Sequence, residues 1–310
     1  MITTLPFIEG VSAGDIIFVI AALFLGVAGL IMFAQLFLRN KTLTQELWLA
    51  YRLEFVVVGG LLVPAYFGGL FFLLVVLVFN FRALWELLTA YRVNTKTLLV
   101  RVAYFLSTLS LVAVFFFGME FVGISLLLLL IFLQANVFRR EGGTKDLLTV
   151  IACVFMLLLP LTFILLLREL ETGFLWLFLV YLVIEINDAF ALMTGKLLGR
   201  HYLLPKLSPK KTIEGMLGGV LSSFLIGGIF SSVVLGLSWG FSLGAVLIIL
   251  LGGIFGDLFV SALKRDRAIK DFSSLHPSMG GALDIYDAII FAAPAFYCYL
   301  IFLSLWNLYF

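Results

Sequence analysis

The chain is predicted to be all-α and polytopic, a membrane protein of about ten transmembrane helices with a polar site at its cytoplasmic face. Two observations carry that expectation. Hydrophobic residues fill 63% of the 310 positions and charged residues only 12%, about half the charged share of a soluble domain. The basic residues also fall into alternate gaps between apolar runs, as the positive-inside rule requires of a chain that crosses a bilayer repeatedly.

Runs able to cross about 30 Å of hydrocarbon, at roughly 20 residues per helix, lie near 16–38, 51–66, 68–86, 98–117, 119–137, 147–167, 172–193, 214–236, 240–262 and 286–307. The second and third are separated only by the Gly-rich stretch around Pro64, which supplies a turn. With ten helices, 19 of the 20 Lys and Arg residues fall on one side, and only Arg168 falls on the other, beside Glu169 and Glu171. Both termini are then extracytoplasmic and the charged loops cytoplasmic, in a bacterial inner (plasma) membrane. The N-terminal stretch lacks a positive n-region, so the first run reads as a retained helix and not a cleaved signal. Cys153 and Cys298 sit inside apolar runs and read as small buried hydrophobes. Neither an internal repeat nor a low-complexity linker is evident, so residues 1–310 form a single membrane-embedded domain, with apolar helices up to about 170 and the polar motifs from 171 onward.

Those motifs form two stretches. At the end of the seventh run, Glu185 and Asp188 stand three apart on one helix face, and ionisable groups at a hydrocarbon boundary mark a functional site or a partnered polar cluster. Residues 196–211 then gather Lys196, Arg200, Lys206, Lys210 and Lys211 around Pro205, Ser208 and Pro209. Thr212 is placed to cap the eighth helix, with Glu214 in its first turn. The second stretch, Gly256 to Asp287, holds five of the 18 acidic residues and four of the basic ones between two apolar segments. Asp257 lies in the ninth helix with Ser261 one turn further on the same face; Lys264, Arg265, Lys270 and Asp271 follow, then a flexible stretch, then Asp284 and Asp287 at the start of the tenth helix.

Taken singly, each acid also reads as an ordinary loop or helix-start residue. Together, Asp188, Asp257, Asp271, Asp284 and Asp287 share one predicted membrane face with nine basic residues. Oxygen donors in that number suit a hard cation such as Mg²⁺, held by a few carboxylates plus substrate phosphates, and Lys and Arg suit phosphate oxygens. Such a site favours phosphoryl or nucleotidyl transfer between a soluble nucleotide and a lipid phosphate. No GxxxxGK[ST] loop and no HExxH is present, His201 and His276 lack metal-ligand spacing, and nucleic acid is not an expected partner.

Here the residues resemble the phosphatidate cytidylyltransferase (CDP-diglyceride synthase) family. Its signature, Ser-x-apolar-Lys-Arg, four residues, Lys-Asp, then Pro-x-His-Gly-Gly-x-x-Asp-Arg-x-Asp, is matched by Ser261, Lys264, Arg265, Lys270, Asp271, Pro277, Gly280, Gly281, Asp284 and Asp287. Gly256-Asp257 and the upstream run from Ile186 to Gly215, with its Ser-Pro-x-Lys-Thr-x-x-Gly, are similar too. The departures are Met279 for the family's His, Ile285 for its Arg, and His276 and Ala282 for larger apolar residues.

The resemblance implies transfer of a cytidylyl group from CTP to phosphatidate, yielding CDP-diacylglycerol and pyrophosphate with Mg²⁺, and a possible homodimer. It implies Asp257, Asp271, Asp284 and Asp287 as metal ligands, with Asp188 a further candidate. Lys206, Lys210, Lys211, Lys264, Arg265 and Lys270 would hold phosphates, with contacts from Ser208, Thr212 and Ser261. The lost His and Arg remove two polar contacts, which leaves open an altered-substrate or noncatalytic lipid-phosphate binder. A transporter fits less well, because transporter charges lie near the midplane in two repeated halves.

Overall fold

Residues 55–118, 144–204, 208–273 and 280–305, with a few isolated positions, are described by the computed structural model. The predicted run at 16–38 lies outside the described residues, and so does that at 119–137 apart from Phe121. Among the described residues seven helices are long and apolar enough to cross a membrane, consistent with an integral, all-α polytopic protein.

A short apolar helix, α1 (Phe55–Phe67), contains a π turn at Val58–Leu62. It is followed by α2 (Gly69–Ala90), α3 (Leu98–Phe117), α4 (Thr144–Glu169) and α5 (Gly173–Leu198). A small hairpin, β1 (Tyr202–Leu204) with β2 (Ser208–Thr212), leads into α6 (Ile213–Ile229), whose last turn runs on as a π turn at Phe230–Val234. The long helices α7 (Trp239–Asp266) and α8 (Ala282–Leu305) complete the described chain. Among the described residues the hairpin departs from the expected all-α plan, since residues 196–211 read as a structured loop in sequence; its strands are antiparallel, with Tyr202 opposite Thr212.

The turn between α1 and α2 falls at Gly68 and Gly69 and not at Pro64, which sits in the first turn of the last α1 segment, where a missing N–H does no harm. Both glycines have positive φ, 63° and 53°, a conformation other residues adopt only with strain. Arg168, at the end of α4, donates from Nε to the carbonyl of Ala65 and from Nη2 to that of Tyr66, 3.5 Å away. It thereby satisfies carbonyls left over at the end of α1.

α5 organises the bundle. Its first half, Gly173 through Ile184, is buried on every side, as expected of a helix that is apolar all round. α6 lies along it, and α4, α7 and α8 surround the remainder. Small residues set the α5–α6 distance: a Cβ on Gly219 would sit 2.5 Å from the Asn187 carbonyl, and one on Gly215 would sit 2.7 Å from that of Ala191. α7 and α8 cross in the same way, because a Cβ on Gly256 would lie 2.5 Å from the Asp287 carbonyl. The two glycine-lined crossings bring the polar end of α5, the hairpin, the middle of α7 and the start of α8 to one end of the bundle.

Candidate active site

At that end α5 changes character. Beyond Ile184 it is no longer enclosed: Glu185 is half-buried and Asp188 is exposed. One Asp188 oxygen accepts from Asn187 Nδ2 at 3.1 Å. The hairpin stands next to it, anchored by Glu214 in the first turn of α6. Glu214 accepts from the backbone N–H groups of Arg200 (3.1 Å) and His201 (3.2 Å) and pairs with His201 Nδ1 at 2.5 Å. Thr212 caps α6 as expected, its hydroxyl accepting from Gly215 N at 3.1 Å. The cap and the Glu214 clamp fix β2, and β2 presents Lys211 to Asp257 of α7, with which it forms an ion pair.

The second half of the site is built on α7 and the start of α8. Lys264 Nζ lies 2.8 Å from Asp284 Oδ1, with the Asp284 side chain only 3% exposed. The other oxygen, Oδ2, accepts from Phe272 N and Gly281 N, both at 2.8 Å. Asp284 therefore closes the chain back onto the first turn of α8, a position where a carboxylate also meets the positive end of the helix dipole. One turn along, Asp287 Oδ1 accepts from Ala288 N at 2.7 Å, and Lys264, Asp188 and Lys211 lie within electrostatic range of its carboxylate.

Asp188, Lys211, Asp257, Lys264, Asp284 and Asp287 are thus brought together. The remaining predicted residues are placed differently. Ser261 is half-buried on α7, and Ser208 is half-buried opposite Leu204 in the hairpin. Arg265 is exposed and donates from Nη1 to the Ile269 carbonyl at 3.0 Å. Lys270 extends outward, its side chain 84% exposed, with Nζ 3.9 Å from Asp271 Oδ2. Lys206, His276 and Met279 lie outside the described residues, as does the side chain of Lys210.

Sequence reasoning missed Glu86, Arg82 and Ser273. Glu86 of α2 has a fully buried side chain, 0% exposed, paired with Arg82 Nε at 3.0 Å. Its Oε1 accepts from Ser273 Oγ (2.8 Å) and Ala282 N (3.0 Å), and its Oε2 from Leu283 N (3.1 Å). The available signal was an acid inside an apolar run, the same signal that singled out Asp188.

A hard divalent cation needs oxygen donors, and among the described residues no three of His, Cys, Asp and Glu converge closely enough to hold one unaided. The donor set suits a cation completed by substrate: Mg²⁺ is commonly bound by one or two carboxylates plus phosphates and water. Asp188 and Asp287 leave oxygens for that role, since each has one oxygen occupied by a neighbouring donor.

A model of the cytidylyltransferase family matches residues 48–303. The chain belongs to that family. The match covers both polar stretches and the seven long helices to within two residues of the end of the last, Leu305. Among relatives, a phosphatidate cytidylyltransferase of Aquifex aeolicus is 42% identical over 148 residues, covering 46% of this chain and 54% of the relative. One of Bacillus subtilis is 36% identical over 128 residues, 41% and 48% of the two chains. A protein of Escherichia coli named only as uncharacterized, YnbB, is 36% identical over 146 residues, 47% of each chain. The chain spans about half the length of the curated relatives it matches.

Proposed function

We propose that the chain transfers a cytidylyl group from CTP to phosphatidate, giving CDP-diacylglycerol and pyrophosphate for phospholipid synthesis. The observation that carries this reading is the convergence of Asp188, Lys211, Asp257, Lys264 and Asp287 at one end of an apolar bundle, in a chain of the cytidylyltransferase family. The relatives named phosphatidate cytidylyltransferase support phosphatidate as the acceptor.

In this reaction an oxygen of the lipid phosphate attacks the α-phosphorus of CTP. A P–O bond forms there, the bond from that phosphorus to the oxygen bridging toward the β-phosphorus breaks, and pyrophosphate leaves with the electron pair. The attacking oxygen is already anionic, so no general base is required, and the work left to the protein is positioning and charge neutralisation. Asp188 and Asp287, with Asp257 once Lys211 is drawn to substrate and Asp271 at the margin, are assigned to hold Mg²⁺. Bound there, Mg²⁺ would supply Lewis-acid stabilisation of the charge that builds on the phosphate oxygens. Lys211 exchanges its Asp257 partner for a CTP phosphate oxygen. Lys264, held by Asp284, balances the acids, and Lys206, Lys210, Arg265 and Lys270 are assigned to phosphate oxygens, with contacts from Ser208, Thr212 and Ser261. Asp284, whose oxygens are already committed within the protein, orients Lys264 and the start of α8.

The segregation of basic residues supports a cytoplasmic placement of this end in a bacterial plasma membrane. A single domain over 1–310 that pairs as a homodimer belongs to the same reading.

The test is to incubate the purified protein in vesicles with Mg²⁺, CTP and, in turn, phosphatidate, lysophosphatidate and a polyprenyl phosphate, identifying products by mass spectrometry. CDP-diacylglycerol formed from phosphatidate and strongly reduced in Asp287→Asn is expected. Retained CTP binding with no nucleotide-lipid from any acceptor would replace the enzyme with a noncatalytic binder of lipid phosphates.

A further inference from the structure

The polar motifs of the second half of the chain include a glycine pair, Gly280-Gly281, directly before α8. Gly280 has φ +82°, and a Cβ there would lie 2.6 Å from Asp284 Oδ2 and 2.9 Å from the Asp271 Cβ. Its neighbour faces a different acid: a Cβ on Gly281 would overlap both carboxylate oxygens of Glu86. The glycine pair is therefore wedged between two carboxylates. One comes from the motif itself, and the other from α2, nearly two hundred residues earlier in the chain.

Glu86 is fully buried and its charge is met in full. Arg82 supplies the countercharge, Ser273 a hydroxyl, and Ala282 and Leu283 the first free N–H groups of α8. Arg82 also donates from Nη2 to Ser273 Oγ at 3.2 Å, closing a ring of three side chains. Oε1 alone receives both Ser273 and Ala282, so one atom of α2 ties together the two described ends of the stretch 273–282. Asp271 lies just before that stretch and Asp284 just after it. Burying a carboxylate is costly unless every lone pair is satisfied, and this one is satisfied only when 273 and 282–283 occupy these positions. Its burial and their placement enforce each other.

We infer that Glu86 is a positioning residue for the transfer reaction, setting the start of α8 and hence Asp284 and Asp287 relative to Asp271. This rests on the function proposed above. Glu86 touches neither substrate nor reacting atoms; it acts through the backbone of 282–283 and the hydroxyl of Ser273. Removing it leaves the Lys211 hairpin untouched, so nucleotide binding and chemistry are expected to separate.

The experiment uses the full chain in vesicles and has two readouts. In the first, Glu86→Gln lowers kcat by about tenfold to a hundredfold, the range for groups that orient others around a reacting centre, while KM for CTP stays within about twofold. Glu86→Asp restores part of the loss. Gly281→Ala, whose added methyl displaces the same carboxylate, gives a similar fall, and the double variant falls no further. In the second readout, amide hydrogen exchange accelerates at 282–283 in Glu86→Gln and stays unchanged in α3. The inference is overturned by unchanged exchange at 282–283 with unchanged kcat. It is equally overturned by exchange raised throughout all helices, which would make Glu86 a general fold determinant. If the unmodified protein forms no CDP-lipid, the proposed function fails, and the exchange measurement alone decides whether Glu86 holds the start of α8.

Discussion

The carboxylates at the polar end fall into two sets with opposite surroundings. Glu86 and Asp284 have every oxygen committed to protein donors, and their side chains are 0% and 3% exposed. Asp188, Asp257 and Asp287 have fewer donors, and the Asp257 side chain is 26% exposed beside Lys211. A fully committed carboxylate holds structure, whereas one with a free oxygen and a displaceable lysine is available to a cation or substrate. On the proposed function, the comparison assigns positioning to the first set and binding to the second.

It is tested most strongly by neutralising the second set. Asp287→Asn or Asp257→Asn is expected to lower kcat about a thousandfold, because a lost cation contact removes several kcal/mol of charge stabilisation. Thermal stability in detergent should hold or rise, since a binding site gathers like charges at the expense of stability. A clear loss of stability in these variants would erase the distinction between the sets. Asp284→Asn should reverse the pattern of cost: it strands Lys264, and breaking a buried pair costs about 3 kcal/mol, read as a lowered unfolding midpoint alongside reduced activity. Lys211→Ala should act more gently, raising KM for CTP about tenfold with little change in the unfolding midpoint, since one charge-assisted phosphate contact is worth about 1.5 kcal/mol. The smallest effect belongs to the opposite end of the bundle. Arg168→Ala loses carbonyl contacts to α1 but should change kcat by less than about twofold.

Much of this was legible in the sequence, for reasons that differ by residue. The described spans match the apolar runs because a bilayer fixes helix length. Their ends do not: α8 starts at Ala282 and not at 286, and α7 continues to Asp266 past the expected 262, since helical hydrogen bonding continues through charged residues that leave the hydrocarbon. The hairpin read as a loop because three residues of β1 and five of β2 carry too little alternation to register as strands. The predicted site residues came as a set, but their division could not: Asp284 and Asp287 share spacing and chemistry, and it is the Lys264 ammonium with the N–H groups of Phe272 and Gly281 that sets Asp284 apart. Glu86 was hidden differently. With Arg82 four residues before it, it resembles an ordinary helix-surface ion pair, and the donors that bury it lie 187 to 197 residues away.

The central claim is cytidylyl transfer, and label position tests it most directly. CTP labelled at the α-phosphorus and, separately, at the γ-phosphorus is supplied with Mg²⁺ to the protein in phosphatidate vesicles. The expected result is α-label in the lipid fraction and γ-label only in soluble pyrophosphate, in equal amounts. γ-Label in the lipid would indicate phosphoryl transfer instead, and no label in lipid from either position would contradict the account.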